Sequence, residues 1–394
     1  MTPLLLSHFT IASALGIGRD QTTAALRAGR SGLRPCAFET AVVPTRIGMV
    51  EGLEAPITGA LADYDCRNNR LALMALEQDG FMAAVADARK RYGAHRIGVF
   101  AGTSTAGILE TEQGFRHRDA TGALPPGFHY RETHSTYSVG DFVQHALGLA
   151  GPALVVSAAC ASTAKAFGNA ARMIALGLCD AAVVGGADSL CLTTLYGFHS
   201  LQLTDEEPCR PFDAARRGIS IGEAGGFALV ERADRAPTGS IQLLGVGESS
   251  DAHHMSSPHP EGLGARLAME KALAAAGLAP DDIDYINLHG TATQVGDAAE
   301  DQAIFGLFGD RVGCNSTKGL TGHTLGAAGI VEAIIAALSL EHGFIPPSPT
   351  TRTLDPALRS RYLIQGEQRS LQRVMSNSFG FGGSNCSLIL GRRS

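Results

Sequence analysis

Residues 155–177 read VVSAACASTAKAFGNAARMIALG. A β-branched apolar run stops at Ala-Cys-Ala-Ser, and small and apolar residues then recur at helical spacing. The pattern predicts a strand, a sharp turn and a helix over 161–176, the elementary step of an α/β fold. The same alternation extends in both directions. Strands are predicted at RIGVFAGTS, PALVVSAA, AAVVGGADS, GFALVE, IQLLGVGESS, YINLHG and NCSLILG, and helices at CRNNRLALMALEQDGFMAAVADARKRYG, ARLAMEKALAAAGL and AAGIVEAIIAALSLEHG. The 48 glycines and the absence of tryptophan suit tight turns and close backbone packing. The thiol at the break, Cys160, stands just before a helix, where backbone N–H groups and the helix dipole favour a thiolate. That makes it a candidate nucleophile with a lowered pKa. Taken alone, a small buried cysteine is more often inert packing.

With 394 residues, 45% of them hydrophobic, the chain has room for two domains around a large core. A formal charge of −6 argues against nucleic acid as a partner. Eight cysteines without a CxxC pair fit a reducing compartment rather than a disulfide framework or a zinc site. The opening MTPLLLSHFTIASALGIG lacks a basic leader region and reads as a first strand and turn. The apolar segment GIVEAIIAALSL contains Glu332 and is shorter than the ~20 residues that span a bilayer, so a cytoplasmic protein without membrane insertion is expected. A polar step at RADRAPTGS (232–240) is the expected seam between a half spanning 1–235 and a half spanning 236–394, with no sequence repeat between them.

Three further stretches bear on Cys160. YINLHGTATQVGDAAE sets His289 at a strand end beside Thr291 and Thr293; NSTKGLTGHTLGAAGIVEA sets Lys318 and His323 before a helix that carries Glu332; NSFGFGGSN (377–385) reads as a Gly-rich turn that a substrate can approach closely. Open α/β sheets bind ligands beyond strand carboxyl ends, so these groups are expected to meet. Other signals read more blandly. GISIG (218–222) fits a hydrolase nucleophile elbow, but the residues after Ser220, GEAGGFALVE, read as turn and strand rather than helix. His253, His254 and His259 lack metal-ligand spacing and read as a loop near the site entrance. Arg67, Arg70, Arg210, Arg216 and Arg217 are a candidate patch for an acidic partner, or ordinary surface arginines.

Seven stretches in one order, LRAGRSGL, VVSAACASTAKA, CRPFDAARRGISIGEAGGFALVE, SDAHHMSSPHPEG, NLHGTAT, NSTKGLTGHTLGAAG and NSFGFGGSN, resemble the β-ketoacyl-acyl carrier protein synthases of the Cys-His-His type over nearly the whole chain. The resemblance implies a thiolase-type α/β fold, two similar halves in a layered α-β-α-β-α arrangement. It implies that Cys160 carries the acyl group, that the backbone N–H groups of Cys160 and Phe379 form the oxyanion hole, and that Phe379 also gates the site. His289 and His323 would hold the enolate formed when a malonyl thioester loses CO₂. Lys318 and Glu332 would organise them, while Thr291, Thr293 and Phe381 would touch substrate. No metal or organic cofactor is implied, since the phosphopantetheine belongs to the acyl carrier protein, the expected partner. A homodimer, or a heterodimer with a chain-length-factor-like subunit, is expected.

Rival readings are a coenzyme A thiolase, which would use a second cysteine near the C-terminus; a Cys-His-Asn condensing enzyme, which would have asparagine in place of His323; and a silent chain-length factor, which would lack the nucleophile. The chain departs from the common family pattern at Gln294 and at GEAGG around Glu223, and its CRNNRLAL and TLYGFHSL look closer to synthases of aryl polyene pigment clusters. On that reading Thr105, in GTSTAG, helps line an altered acyl tunnel.

Overall fold

In the computed structural model, which describes residues 1–234 and 236–393, two five-stranded arrays carry the fold. The first comprises β1 (Leu4–Ser13), β2 (Ile97–Gly102), β3 (Ala153–Val156), β4 (Ala181–Asp188) and β5 (Ala224–Arg232), in the order β1-β5-β4-β2-β3. The second comprises β6 (Ile241–Ser250), β7 (Tyr285–Asn287), β8 (Gly313–Asn315), β9 (Arg373–Gly380) and β10 (Ser384–Arg392), in the order β6-β10-β9-β7-β8. In each array the first, fifth and fourth strands are antiparallel neighbours, and the fourth, second and third run parallel. Strand order and direction thus repeat where the sequence does not, because topology follows the pattern of apolar runs and turns rather than residue identity. Leu4 and Leu5 pair with Leu243 and Gln242, which joins the arrays edge to edge. The chain passes from the first array to the second between Arg232 and Ile241; Arg235, the last residue of the expected first half, lies outside the described residues.

Six helices position the site: α1 (Arg67–Leu76), α2 (Ser138–Ala146), α3 (Ser162–Ala175), α4 (Leu263–Ala276), α5 (Gln294–Phe308) and α6 (Ala328–His342). Helices α3 and α6 pack on each other between the arrays, α1 and α2 cover the outer face of the first, and α4, with α5 on it, covers the second. This is the layered arrangement expected of a thiolase-type fold. Position dictates composition: α6 is buried continuously from Ala328 to Leu340 and is therefore apolar all round. With its leading turn it spans Leu325–His342, long and apolar enough to cross a membrane, yet 89% of that segment is buried inside the protein. Gly329 is required at the crossing, since a Cβ there would stand 2.4 Å from the Ala164 nitrogen of α3.

Three local expectations change. The long helical stretch at 66–93 is two helices, broken at Gly80, whose φ of 69° is left-handed. Helix α5 was not anticipated, because Gly296, Asp297, Glu300 and Asp301 interrupt its apolar pattern. The Gly-rich turn expected over 377–385 is mostly strand: β9 runs through Gly380, β10 begins at Ser384, and only Phe381–Gly383 turn, with Gly382 and Gly383 at φ 78° and 74°. The small polar side chains of Ser376, Asn377 and Ser378 are buried, which hides a strand from any hydrophobicity pattern.

Candidate active site

The turn between β3 and α3 is built around Ser162, the first residue of the helix. Its Oγ accepts from the Ala158 N–H at 2.9 Å and donates to the Ala159 carbonyl at 2.6 Å. Between them Ala159 is held at φ 48°, unusual for a residue with a Cβ. The result aims Cys160 inward, 7% exposed, at the start of α3. The expectation of a lowered thiol pKa is corrected here. Burial pushes the Cys160 thiol up to about 11, and the positive charge of Lys318 and the N–H of Phe381 offset this only in part.

His323 comes from the second half but is pinned to the first. Its N–H donates to the Ser220 carbonyl at 2.7 Å and its carbonyl accepts from the Gly222 N–H at 2.9 Å, while the Ser220 hydroxyl accepts from the Cys209 N–H at 3.0 Å. GISIG is thus a backbone cradle with a fully buried serine, not a nucleophile elbow. This anchoring sets His323 Nε2 3.0 Å from Cys160 Sγ. His289 follows β7, and the carboxylate of Glu300 on α5 accepts from the N–H groups of His289 and Gly290 at 2.8 and 2.7 Å. The two imidazoles meet edge to face with centroids 5.2 Å apart. Burial, reinforced by Lys318, holds both well below the ordinary histidine pKa, so both rings are neutral at pH 7.

Lys318, 1% exposed, forms an ion pair with Glu332 and places Nζ 3.4 Å from His289 Nδ1. An ammonium donating to Nδ1 leaves the hydrogen of the neutral ring on Nε2, which makes His289 a donor toward the cavity. Burial raises the Glu332 carboxyl to about 7 even beside the lysine, and raises Glu300 to about 7 as well. The ligand atoms of Cys160, His289 and His323 lie within 4.8 Å of one another, close enough to share a metal ion. Lys318 favours another use, because a ring whose Nδ1 lone pair is taken and whose Nε2 carries hydrogen has none left for a cation.

A cavity of about 410 Å³ opens onto the three residues and is lined further by Phe198, Ile219, Thr291, Thr293, Phe379 and Phe381. Thr291 and Thr293 share a hydrogen bond at 3.1 Å, and Thr293 caps α5. Two expected assignments move. The backbone N–H directed at the Cys160 sulfur is that of Phe381, at the start of the turn, whereas Phe379 lies within the β9–β10 ladder opposite Asn385. Phe379 instead sets its ring 6.1 Å from His289, and Phe381 stacks obliquely on Phe198 at 5.6 Å. Thr105 does not line this cavity; 1% exposed, it donates its hydroxyl to Asp188 at 3.1 Å. Asp188, unremarked in the sequence, also accepts from the hydroxyls of Thr103 and Ser104 and from the N–H groups of Ser104, Thr105 and Gly326, tying the His323 loop to the first half. Glu300 was missed too, although acids at three- and four-residue spacing on an otherwise apolar helix signal a buried carboxylate. Cys386, the cysteine nearest the C-terminus, is fully buried in β10 and does not line the cavity.

The arginines offered as a candidate patch are each ion-paired, and Arg217, with its side chain 66% exposed, also lines the cavity. Arg67 pairs with buried Glu223, Arg70 with Asp65, and Arg216, 5% exposed, lies between Asp297 and Asp355. Arg210 and Arg217 share Asp205.

Residues 68–236 match the beta-ketoacyl synthase N-terminal domain and residues 241–352 its C-terminal domain. The chain is 33% identical, over 407 aligned positions, to 3-oxoacyl-[acyl-carrier-protein] synthase 2 of Vibrio cholerae, covering 96% of each. It is 40% identical to a mitochondrial 3-oxoacyl-[acyl-carrier-protein] synthase of Arabidopsis thaliana over 261 residues, 61% of this chain and 57% of the relative. In three dimensions it is similar to a chain of the ketosynthase ApeO in complex with its chain length factor ApeC from Xenorhabdus doucetiae, with a TM-score of 0.91, 39% identity and coverage of 99% of this chain and 98% of that one. Agreement that runs through both halves and both domain signatures makes the chain a member of the β-ketoacyl synthase family of condensing acyltransferases.

Proposed function

We propose that the protein extends acyl chains by decarboxylative condensation in two steps. The observation that carries this reading is the 3.0 Å approach of His323 Nε2 to Cys160 Sγ with neutral His289 alongside. In the first step Cys160 attacks the thioester carbonyl of an acyl carrier protein, its proton passing through His323 to the departing thiol. The N–H groups of Cys160 and Phe381 receive the oxyanion. In the second, a malonyl thioester loses CO₂ and the electron pair left behind becomes an enolate, whose oxygen accepts from His289 Nε2 and His323. His323 Nδ1 has no partner among the described residues, so the ring is free to carry its hydrogen on Nε2 at this stage. The enolate carbon then attacks the acyl-Cys160 carbonyl and the thiolate leaves. Lys318 and Glu332 orient His289, Thr291 and Thr293 flank the pantetheine arm, and neither a metal nor an organic cofactor enters.

The similarity to a ketosynthase solved with a chain length factor favours a heterodimer over a homodimer. The sequence features that look like aryl polyene synthases favour a polyene chain over an ordinary saturated one. Intact-protein mass measurement after mixing wild type and Cys160→Ala with saturated and polyenoyl carrier thioesters, without malonyl donor, tests this. An acyl adduct confined to wild type is expected, strongest for polyenoyl groups; folded wild type that takes no acyl group would overturn the reading.

A further inference from the structure

Helix α6 starts without a cap of its own. Its N-cap residue is Ala327, which has no side-chain acceptor, and the first turn is buried, so water cannot serve the N–H groups there. In a regular α-helix the Ile330 N–H would bond to the carbonyl four residues back, that of Gly326. Here a hydroxyl from the other half of the molecule stands between them. Thr163 Oγ1, on α3 and fully buried, accepts from the Ile330 N–H at 3.0 Å and donates to the Gly326 carbonyl at 2.7 Å. Both roles of the hydroxyl are filled, and both by backbone groups of the turn that opens α6.

The place of this tie in the chain gives it a consequence for the site. Thr163 lies three residues after Cys160, and Gly326 lies three residues after His323. The other side of Gly326 is held as well: its N–H donates to Asp188 at 2.5 Å, and a Cβ there would stand 2.8 Å from both that carboxylate and the Ser104 nitrogen. His323 itself is gripped through its N–H and carbonyl by Ser220 and Gly222. Of these anchors Thr163 alone belongs to α3, the helix that follows Cys160. Adjacent residues thus divide the work, Ser162 shaping the turn that holds the thiol and Thr163 tying that turn's helix to the loop that holds the imidazole.

We propose that Thr163 is a positioning residue of the condensing reaction: its hydroxyl splices the helix behind Cys160 into the first turn of α6 and thereby sets the approach of His323 Nε2 to the sulfur. The proposal rests on the condensing-enzyme reading and adds to it a residue that does not line the cavity. With the imidazole in contact, the thiol passes its proton directly to His323, and loading does not depend on pH once that ring is neutral. With the contact loosened, the sulfur must ionise unaided, and because burial holds the thiol far above neutrality, loading then rises with pH.

The test is single-turnover acylation of Cys160 by octanoyl-N-acetylcysteamine, followed by intact-protein mass between about pH 7 and pH 9, with the folding of each variant checked by thermal melting. Thr163→Val keeps the shape and removes the hydroxyl. It is expected to load at least about tenfold more slowly than wild type at pH ~7, at an unchanged half-saturating donor concentration, and to gain about tenfold per pH unit while wild type stays flat. Thr163→Ser, which keeps the hydroxyl, should load within about twofold of wild type throughout. Should Thr163→Val not fold, Thr163→Ala, which leaves room for a water to serve both backbone groups but no tie to α3, is read in the same way. A folded hydroxyl-free variant that loads at the wild-type rate overturns the proposal. So does one slowed by the same factor at every pH, which would make Thr163 a packing contact, and so does a serine variant as slow as the valine one. Wild type that takes no acyl group, from this donor or from the carrier thioesters above, would defeat the condensing-enzyme reading and the proposal with it.

Discussion

The two halves of the molecule share one strand topology and do opposite chemistry. In the first, five residues (157–161) join β3 to α3, and Cys160 sits almost on the helix. In the second, twelve residues (316–327) join β8 to α6, enough for the short helix Lys318–Thr321 and for a loop that carries His323 across to the first half. A repeated sheet delivers both connections to the same place, between the arrays, and the length of the connection decides what each supplies. The short one fixes a nucleophile at a helix start; the long one carries a neutral imidazole and a buried ion pair. The candidate nucleophile and the imidazole beside it thus come from separately supported elements, which is how a site gains geometry that neither element specifies alone.

The comparison breaks most decisively at Cys160. Cys160→Ala should lower condensation by about a thousandfold or more, measured as β-ketoacyl product per unit time, because among the described residues no other thiol lines the cavity. The folded variant should still bind malonyl carrier, since the histidine half is untouched.

The histidines should separate the two steps. His289→Ala is expected to cost condensation about a hundredfold or more, the scale of losing an oxyanion donor, while Cys160 still loads from an acyl thioester. His323→Ala should slow loading as well, because its ring nitrogen, 3.0 Å from the sulfur, is the proposed base. Single-turnover acylation followed by malonyl chase distinguishes them, and equal loading defects in both variants would contradict the assigned division of labour.

Much of the first half was legible in the sequence, because strands such as AAVVGGAD are fully buried apolar runs and Cys160 stands at an obvious strand-to-helix break. The second half was less so. β8 is three residues long, β9 carries buried serines and an asparagine, and α5 carries three buried or nearly buried acids, all of which erase the expected periodicity. The catalytic candidates were visible by resemblance, but their support was not. Glu300 and Asp188 act through backbone N–H groups, so nothing in their immediate neighbours announces them. The raised thiol pKa of Cys160 also escaped, because helix position is written in the sequence and desolvation is not.

Glu300 gives the comparison a pH axis. Burial raises this carboxyl from about 4.5 to about 7, so the native state holds its proton more tightly than the unfolded chain does. The resulting stability is full below pH ~4.5 and is lost as pH rises through about 7, up to about 3 kcal/mol for one such group. Asp297, raised to about 6, and Glu332 contribute in the same sense. Buried His289 and His323 act in the opposite sense below about pH 7, so the check is a difference: between pH 5 and pH 8 the Tm of Glu300→Gln should fall less, or rise more, than that of wild type. An unchanged slope would mean that the carboxylate is ionised in the native state throughout.

The smallest expected effect lies where the halves touch. Gly329 on α6 faces the backbone of α3 so closely that a Cβ would meet the Ala164 nitrogen at 2.4 Å and its Cβ at 2.7 Å. The helix favours alanine over glycine by up to about 1 kcal/mol, but overpacking against rigid backbone costs about 1–3 kcal/mol, so the clash wins. Gly329→Ala should lower Tm by a few degrees. Because α3 begins two residues after Cys160 and α6 begins five after His323, pushing the helices apart should also lengthen the sulfur–imidazole approach. Cys160 loading should then slow more than His289-dependent decarboxylation. Loss of stability without that bias would make the crossing a packing contact alone, and would leave the alignment of thiol and imidazole to Ser220, Gly222 and Asp188.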